Sequence, residues 1–452
     1  YGGDRVRITQ VDPASDPETA AEARALGILP VQLQAIERDR AEVVNVYLGM
    51  TVRYEDRQEV IPVIVAPERL EYELTSAILK VMTVEVPTVG FLTGHGERSI
   101  REDYTAVAEA LGEHYEVAEI SLAVDEPALE GVSTLVVAGP RESIPDSELY
   151  EIDQFIMRGG RALFLIDAVT IETPGLRAEL VEGTLFSYVS AYGAAVNPDL
   201  VVDRVNANAS FSSGMFTMTL AYPYWPKAVP PNLSRENPVV SGLESVSFPW
   251  TSSITLDGAV DDVEATVLAR SSRYSWTVGP SASLDPQQEF APTGENADGI
   301  LRGQGDGHPL AVALVGRFPS AFAERALILE EEGRPRAVEP EGKITTSEPT
   351  QIVLVGNSRM FDDRLIRQFP GNSALFLNAV DWLTLGDALI GIRSKAVADR
   401  PIRPLDDTAR ATVKFAGTFG TPILVVLFGL LSALARRRRR ARERALSGGT
   451  AS

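Results

Sequence analysis

Short apolar runs recur through the middle of the chain, with helical spacings between them. TVGFL (88–92), LVVAG (135–139), ALFLID (162–167) and IVLVG (352–356) are β-rich and bounded by turn residues, the pattern of strands buried on both faces. DYTAVAEALGEHY (103–115) and DSELYEIDQFIMRGG (146–160) repeat apolar positions at helical intervals and predict helices. Strands alternating with helices imply a mostly parallel sheet covered on both faces. The stretch 206–226 and the later SWTVGPSASLDPQQEFAPTGENADG break this rhythm and predict edge hairpins and a long loop.

Residues 1–82 follow a different order. RVRITQVD (5–12) alternates like a strand, and DPETAAEARALG (16–27) reads as a helix with Pro17 in its first turn and Gly27 at its end. After ILPVQLQ comes EVVNVYLGMTVRYEDRQEVIPVI (42–64), a hairpin pattern turning near Asp56, and RLEYELTSAILKVM (69–82) closes the unit as a helix. With Pro30 in its turn, this order resembles the C-terminal half of a thioredoxin-like fold, Pro30 standing where that family has its cis-proline. The resemblance implies a scaffold alone, because thioredoxin redox chemistry needs a Cys pair and the chain has no Cys. It also implies a βα unit ahead of Tyr1, and with no Met start and no targeting segment the natural N-terminus is expected upstream.

Phe415 to Ala435 reads FAGTFGTPILVVLFGLLSALA, 21 residues without a charge, between Lys414 and Arg436, Arg437, Arg438, Arg439 and Arg440. At about 1.5 Å per residue it spans roughly 30 Å of hydrocarbon, one crossing of a lipid bilayer. The positive-inside rule sets the arginines in the cytoplasm and the bulk of the chain outside it, on a cell (inner) membrane. Ala416, Gly417, Gly420 and Gly429 would allow another helix to approach closely. The organisation read from the sequence is therefore 1–82, a thioredoxin-like half-domain; 86–395, a Rossmann-like α/β domain whose sheet resembles the class I amidotransferases; 396–414, a linker; 415–435, a transmembrane helix; and 436–452, a basic tail.

Composition narrows the chemistry. A length of 452 residues with 44% hydrophobic composition suffices for two or three cores. Net charge is −20, and since Arg436 to Arg444 carry about +6, residues 1–435 carry about −26, a body that repels nucleic acid. The absence of Cys excludes disulfides, thiolate metal sites and the nucleophile an amidotransferase needs. Gly342-Lys343 is no phosphate cradle, because Ile344 follows and Ala337 occupies the position of the first P-loop Gly. No G-x-S-x-G elbow stands in a strand-to-helix context. Three His without metal-ligand spacing offer no transition-metal site, and no cofactor is expected.

One set of positions does converge. His95 and Glu97 follow TVGFL, Arg141 follows LVVAGP, Asp167 follows ALFLI, and Asn357, Ser358 and Arg359 follow IVLVG, so all seven should gather at the carboxyl edge of the sheet, where open α/β folds bind ligands. The competing structural reading is that Gly94 and Gly96 make a tight turn while His95 and Asp167 satisfy backbone donors. His114 reads as a helix C-cap and His308 as loop. Trp225 and Trp250, flanked by proline, could line a sugar surface or fill gaps beneath a loop. EEEGRPRAVEPEG (330–342) reads as solvated loop.

LEYELTSAILKV (70–81), VGFLTGHGE (89–97), VAGPRESIPDSELYEIDQFIMRGGRALFLID (137–167), GNSRMFDD (356–363) and GNSALFLNAVDWLTLGDALIGIRSK (371–395) occur in one order, and the chain resembles the GldG-type proteins in them. These are auxiliary subunits of ABC-2 type transporters, known partly from gliding-motility machinery, with an extracytoplasmic region between two transmembrane helices. A related α/β module recurs in intraflagellar transport proteins, where it serves assembly. The resemblance implies a non-enzyme working by protein–protein contact with a permease and its separately encoded ATPase, and it brings no catalytic residue. The chain departs from the pattern in lacking the N-terminal helix. Alternatives from other classes are a periplasmic receptor binding a sugar or peptide at the carboxyl edge, and a degenerate hydrolase.

Overall fold

The computed structural model of the protein describes residues 6–37, 40–64, 70–82, 86–122, 128–172, 175–213, 216–256, 260–294, 296–331 and 334–393, all within one compact unit, Tyr1–Ala396. The expected linker, membrane span and arginine-rich tail (396–452) lie outside the described residues. Among those described, no helix is long and apolar enough to cross a membrane.

The chain opens with α1 (Pro17–Ala25). Asp16 caps it by accepting the Thr19 N–H at 3.1 Å, and Gly27 leaves it at a φ of 74°, a conformation that favours a residue without Cβ. Two antiparallel hairpins follow, Val31–Glu37 with Arg40–Val46 and Met50–Tyr54 with Arg57–Ile61, the second turning at Glu55–Asp56 as the alternation predicts. α2 (Leu70–Met82) completes this part. The expected first strand is not formed: residues 6–12 pair with nothing among the described residues, and Ile8 stays 90% exposed. Alternation alone does not make a strand, because the ladder needs a neighbour to bond to.

The centre is a seven-stranded sheet built from β1 (Thr88–Thr93), β2 (Glu116–Ser121), β3 (Val132–Ala138), β4 (Arg161–Leu165), β5 (Val263–Arg270), β6 (Pro309–Gly316) and β7 (Thr350–Val355), in spatial order β5-β6-β7-β4-β3-β1-β2. β7, β4, β3, β1 and β2 run parallel, as the sequence pattern implies for a mostly parallel sheet, and β5 and β6 add antiparallel pairings at one side that make the sheet mixed. The antiparallel addition was illegible locally because VEATVLAR and PLAVALVG read alike in either direction.

Alternate residues of each strand feed two cores. Phe91, Val136, Leu163 and Val353 face one, with α3 (Thr105–Gly112) and the long helix α5 (Pro370–Arg393). Leu92, Leu135, Phe164 and Ile352 face the other, with α4 (Asp146–Met157). Each such side chain, withdrawn from water, contributes about 1.5–3 kcal/mol of transfer free energy, which is why the central strands read as unbroken apolar runs. A third core holds Tyr222, Tyr224, Trp225 and Trp250, the last two packed edge to face at 5.1 Å, so both tryptophans fill space. The first part docks on this body: Lys80 Nζ lies 3.0 Å from Asp381 and 3.5 Å from Glu59. The His114 N–H donates to the Leu111 carbonyl at the end of α3 at 2.9 Å, while its ring Nδ1 lies 3.4 Å from Glu59 of the hairpin. The acidic stretch near 330–342 is not plain loop: Leu327–Glu331 and Arg334–Val338 form a hairpin that buries Leu327 and exposes residues 334–337.

Candidate functional site at the carboxyl edge

The loops leaving β1 and β3 diverge, one to α3 on the first core and one to α4 on the second, which makes this point the topological switch of the sheet. The two loops are tied together, the Arg141 and Glu142 N–H groups donating to the His95 carbonyl at 2.8 and 3.0 Å. The His95 ring is buried between two carboxylates, Nδ1 being 3.1 Å from Glu97 and Nε2 3.4 Å from Glu148 at the start of α4. Glu97 also accepts the His95 N–H at 2.7 Å, closing the turn that Gly94 and Gly96 make with positive φ.

Asp167, Ser358 and Arg98 form the centre. The Ser358 N–H donates to Asp167 Oδ1 at 2.7 Å and the Ser358 hydroxyl donates to Asp167 Oδ2. Arg98 Nε donates to the Ser358 hydroxyl at 3.3 Å, and the buried Tyr104 hydroxyl donates to the Ser358 carbonyl at 2.5 Å. Gly139, at a φ of 63°, lies against both, and a Cβ there would collide with the Ser358 side chain. Asn357 turns away, donating to the carbonyls of Pro249 at 2.6 Å and Trp250 at 3.2 Å and accepting the Met360 N–H. Arg359 donates to the Ile171 carbonyl at 2.9 Å and lies 5.5 Å over the Trp250 ring.

Of the seven residues singled out from sequence, His95 and Glu97 form one group, Asp167 and Ser358 a second, and Asn357 and Arg359 serve as struts toward residues 249–250 and 171. Arg141 contributes its backbone and exposes its side chain. Sequence reading missed Arg98, Asp103, Tyr104 and Asp362. Arg98 Nη1 lies 3.7 Å from Asp103 and 3.6 Å from Asp362. No spacing signal could have found this, since Arg98 and Ser358 are 260 positions apart.

The electrostatics follow from burial and crowding. Burial would lower the Arg98 pKa, but Asp167, Asp362, Tyr104 and Asp103 outweigh it and raise it. Burial, with Arg98 nearby, lowers that of Arg359. Burial pushes Asp362 up to about 7, against the pull of Arg98 and with the repulsion of Asp103. The ion pair and the raised pKa pull opposite ways; burial prevails, because the Arg98 contact is long and Asp362 Oδ1 has no hydrogen-bond partner among the described residues. Three carboxylates crowd one guanidinium.

Two clefts lie elsewhere. One of about 1160 Å³ runs along α4 to the amino ends of β3 and β4, past Ser133, Gln154 and Arg161, and one of about 530 Å³ lies between 175–178 and 280–286. Among the described residues no group of three His, Asp or Glu is placed to hold a metal ion.

Residues 86–380, which span the sheet and reach into α5, match the model of a family described as an ABC-type uncharacterized transport system. The chain belongs to this family. Membership makes it a transport-associated auxiliary protein of an ABC system, and such systems work at membranes. An uncharacterized protein of Borreliella burgdorferi is 22% identical over 423 residues, covering 90% of this chain and 77% of its own length. Among solved structures, the mmIFT52 N-terminal domain aligns with 66% of this chain and 98% of its own at 14% identity and a TM-score of 0.40. An exo-β-1,4-mannosidase, Op5Man5 from an Opitutaceae bacterium, aligns with 69% and 39% at 12% identity and a TM-score of 0.25.

Proposed function

We propose that this chain is a non-catalytic auxiliary subunit of an ABC-2 type transport complex, of the GldG kind, working through protein–protein contacts of an extracytoplasmic α/β body. In this reading residues 415–435 cross the inner membrane once and Arg436 to Arg440 hold the tail in the cytoplasm. Residues 1–82 are a thioredoxin-like half-domain ahead of a Rossmann-like 86–395. The partners are a polytopic permease, reached by helix packing in the bilayer, and its ATPase.

The observation that carries the proposal, beside the family match, is how the carboxyl edge is engaged. Asp167, Ser358 and Asn357 bond to neighbouring protein groups and His95 sits between two carboxylates, an arrangement that fastens four loops into a rigid platform. A nucleophile or general base would instead aim a polar atom at space a substrate could occupy. The test is affinity purification of the full chain from detergent-solubilised membranes. The expected result is co-purification of a permease and an ABC ATPase; their reproducible absence overturns the reading. A reporter fused after Ser452 that proved to be exported would overturn the topology.

A further inference from the structure

The seven-stranded sheet has two outer edges, and they are treated differently. At β5 the edge is closed: Leu233 bridges to Ala269, and the Ser234 N–H donates to the Leu268 carbonyl at 2.8 Å. At β2 no strand or bridge among the described residues pairs with the outer side. Of the devices that protect an edge, β2 has no Pro, no Lys and an unshifted register from Thr88↔Glu116 to Thr93↔Ser121, and it carries charge only as Glu116 and Glu119.

The strand is nonetheless held straight. Val117 packs on one core and Ile120 on the other, and Gly90 of β1 leaves room for Ile120, whose Cγ1 would lie 2.7 Å from a Cβ there. The Glu116 N–H donates inward to the Pro87 carbonyl. Since alternate residues of a parallel strand bond to the same neighbour, Val117, Glu119 and Ser121 turn their N–H and C=O groups outward. Glu116, Glu119 and Ser121 are exposed.

The surrounding charge is one-sided. From Glu102 to Pro140 the sequence carries nine Asp or Glu and no Lys or Arg, and the exposed Glu109, Glu113 and Glu130 belong to that stretch. Arg101 reaches in, 2.8 Å from Glu119, and Arg98 lies 3.7 Å from Asp103.

We infer that the outer edge of β2 is a docking surface that takes an extended, Lys- or Arg-bearing segment of a partner protein as an eighth strand. Main-chain hydrogen bonds to Val117, Glu119 and Ser121 supply the pairing, and the glutamates select basic side chains. A second copy of this chain fits badly, because antiparallel pairing of two β2 strands sets glutamates beside glutamates. The inference deepens the auxiliary-subunit reading and rests on it for the partner's identity. Its test uses the chain alone, so its failure would leave the co-purification result standing.

The experiment follows amide hydrogen exchange of the full chain in detergent with an extended peptide alternating Lys and Val, and with its counterpart carrying Glu for Lys. The basic peptide should slow exchange at 117, 119 and 121 by about tenfold or more, and the acidic one should not. Glu119→Pro removes one outward N–H without touching the ladder to β1 and should abolish the protection, with circular dichroism reporting that the fold survives. Should that variant unfold, Glu119→Lys, which keeps the backbone donor, should weaken the effect severalfold. Unchanged exchange, protection by both peptides alike, or protection surviving Glu119→Pro overturns the proposal. Protection that appears without peptide and rises with protein concentration also overturns it, in favour of a second copy.

Discussion

Replacing Asp362 with Asn should stabilise this protein, and by an amount that depends on pH. Asp362 holds its proton up to about 7 in the folded chain against an ordinary value of 3.8. The charged form is therefore disfavoured by folding, and the contribution is most favourable below the unfolded value and is lost as pH rises through about 7. At about 1.4 kcal/mol per pH unit the interval sets a ceiling of ~4 kcal/mol at pH 8. The side chain keeps 23% exposure, which reduces the expected gain to ~2–3 kcal/mol at pH 8 and about 1 kcal/mol at pH 5. Asn has the shape of the protonated acid and leaves the Leu365 N–H bonded to the carbonyl of residue 362. The assay is the thermal midpoint of wild type and variant by tryptophan fluorescence between pH 5 and 8. The difference between them is the readout, since Asp199 and Asp203 are also raised by burial and His308 is lowered by it. A gain equal at both ends, or a loss at pH 8, refutes the reasoning and means that the attraction of Arg98 outweighs the burial of the carboxylate.

Asp153 is fully buried and accepts from the Tyr192 and Ser320 hydroxyls, the Ala321 N–H and the Gln154 amide, so Asp153→Ala should cost ~3–5 kcal/mol, read as a lowered unfolding midpoint. Gly139→Ala should cost ~1–3 kcal/mol through positive φ and collision with Ser358, and its exchange footprint should centre on 98, 167 and 358; a footprint elsewhere refutes the link. Lys80→Met, which leaves Asp381 and Glu59 without their shared cation, should cost about 1 kcal/mol and raise exchange in α2 before the central sheet. If α2 and the sheet instead exchange together, the two parts open as one unit.

The strands of the central sheet were legible because each is buried on both faces and so must be apolar throughout, and α1 because Asp16, Pro17 and Gly27 mark its ends locally. The convergence of residues 95, 141, 167 and 357–359 at one edge was legible too, since parallel strands bring their carboxyl ends together whatever their order. What each side chain does there was not. Asn357 and Ser358 are neighbours with equal claims in sequence, yet one bonds toward Trp250 and the other toward Asp167.

By itself the sequence determined the alternation of strands and helices, the acidity of the body, the lack of thiol chemistry and an uncharged run of 21 residues before an arginine cluster. These depend on composition or on neighbours along the chain, within reach of local pattern. Only the tertiary structure decided that β5 and β6 run antiparallel, that RVRITQVD finds no partner among the described residues, that β2 is left as an open edge, and that Arg98 gathers three carboxylates. Strand direction, edge position and buried ion pairing are set by which distant segments meet, and no residue carries that information alone.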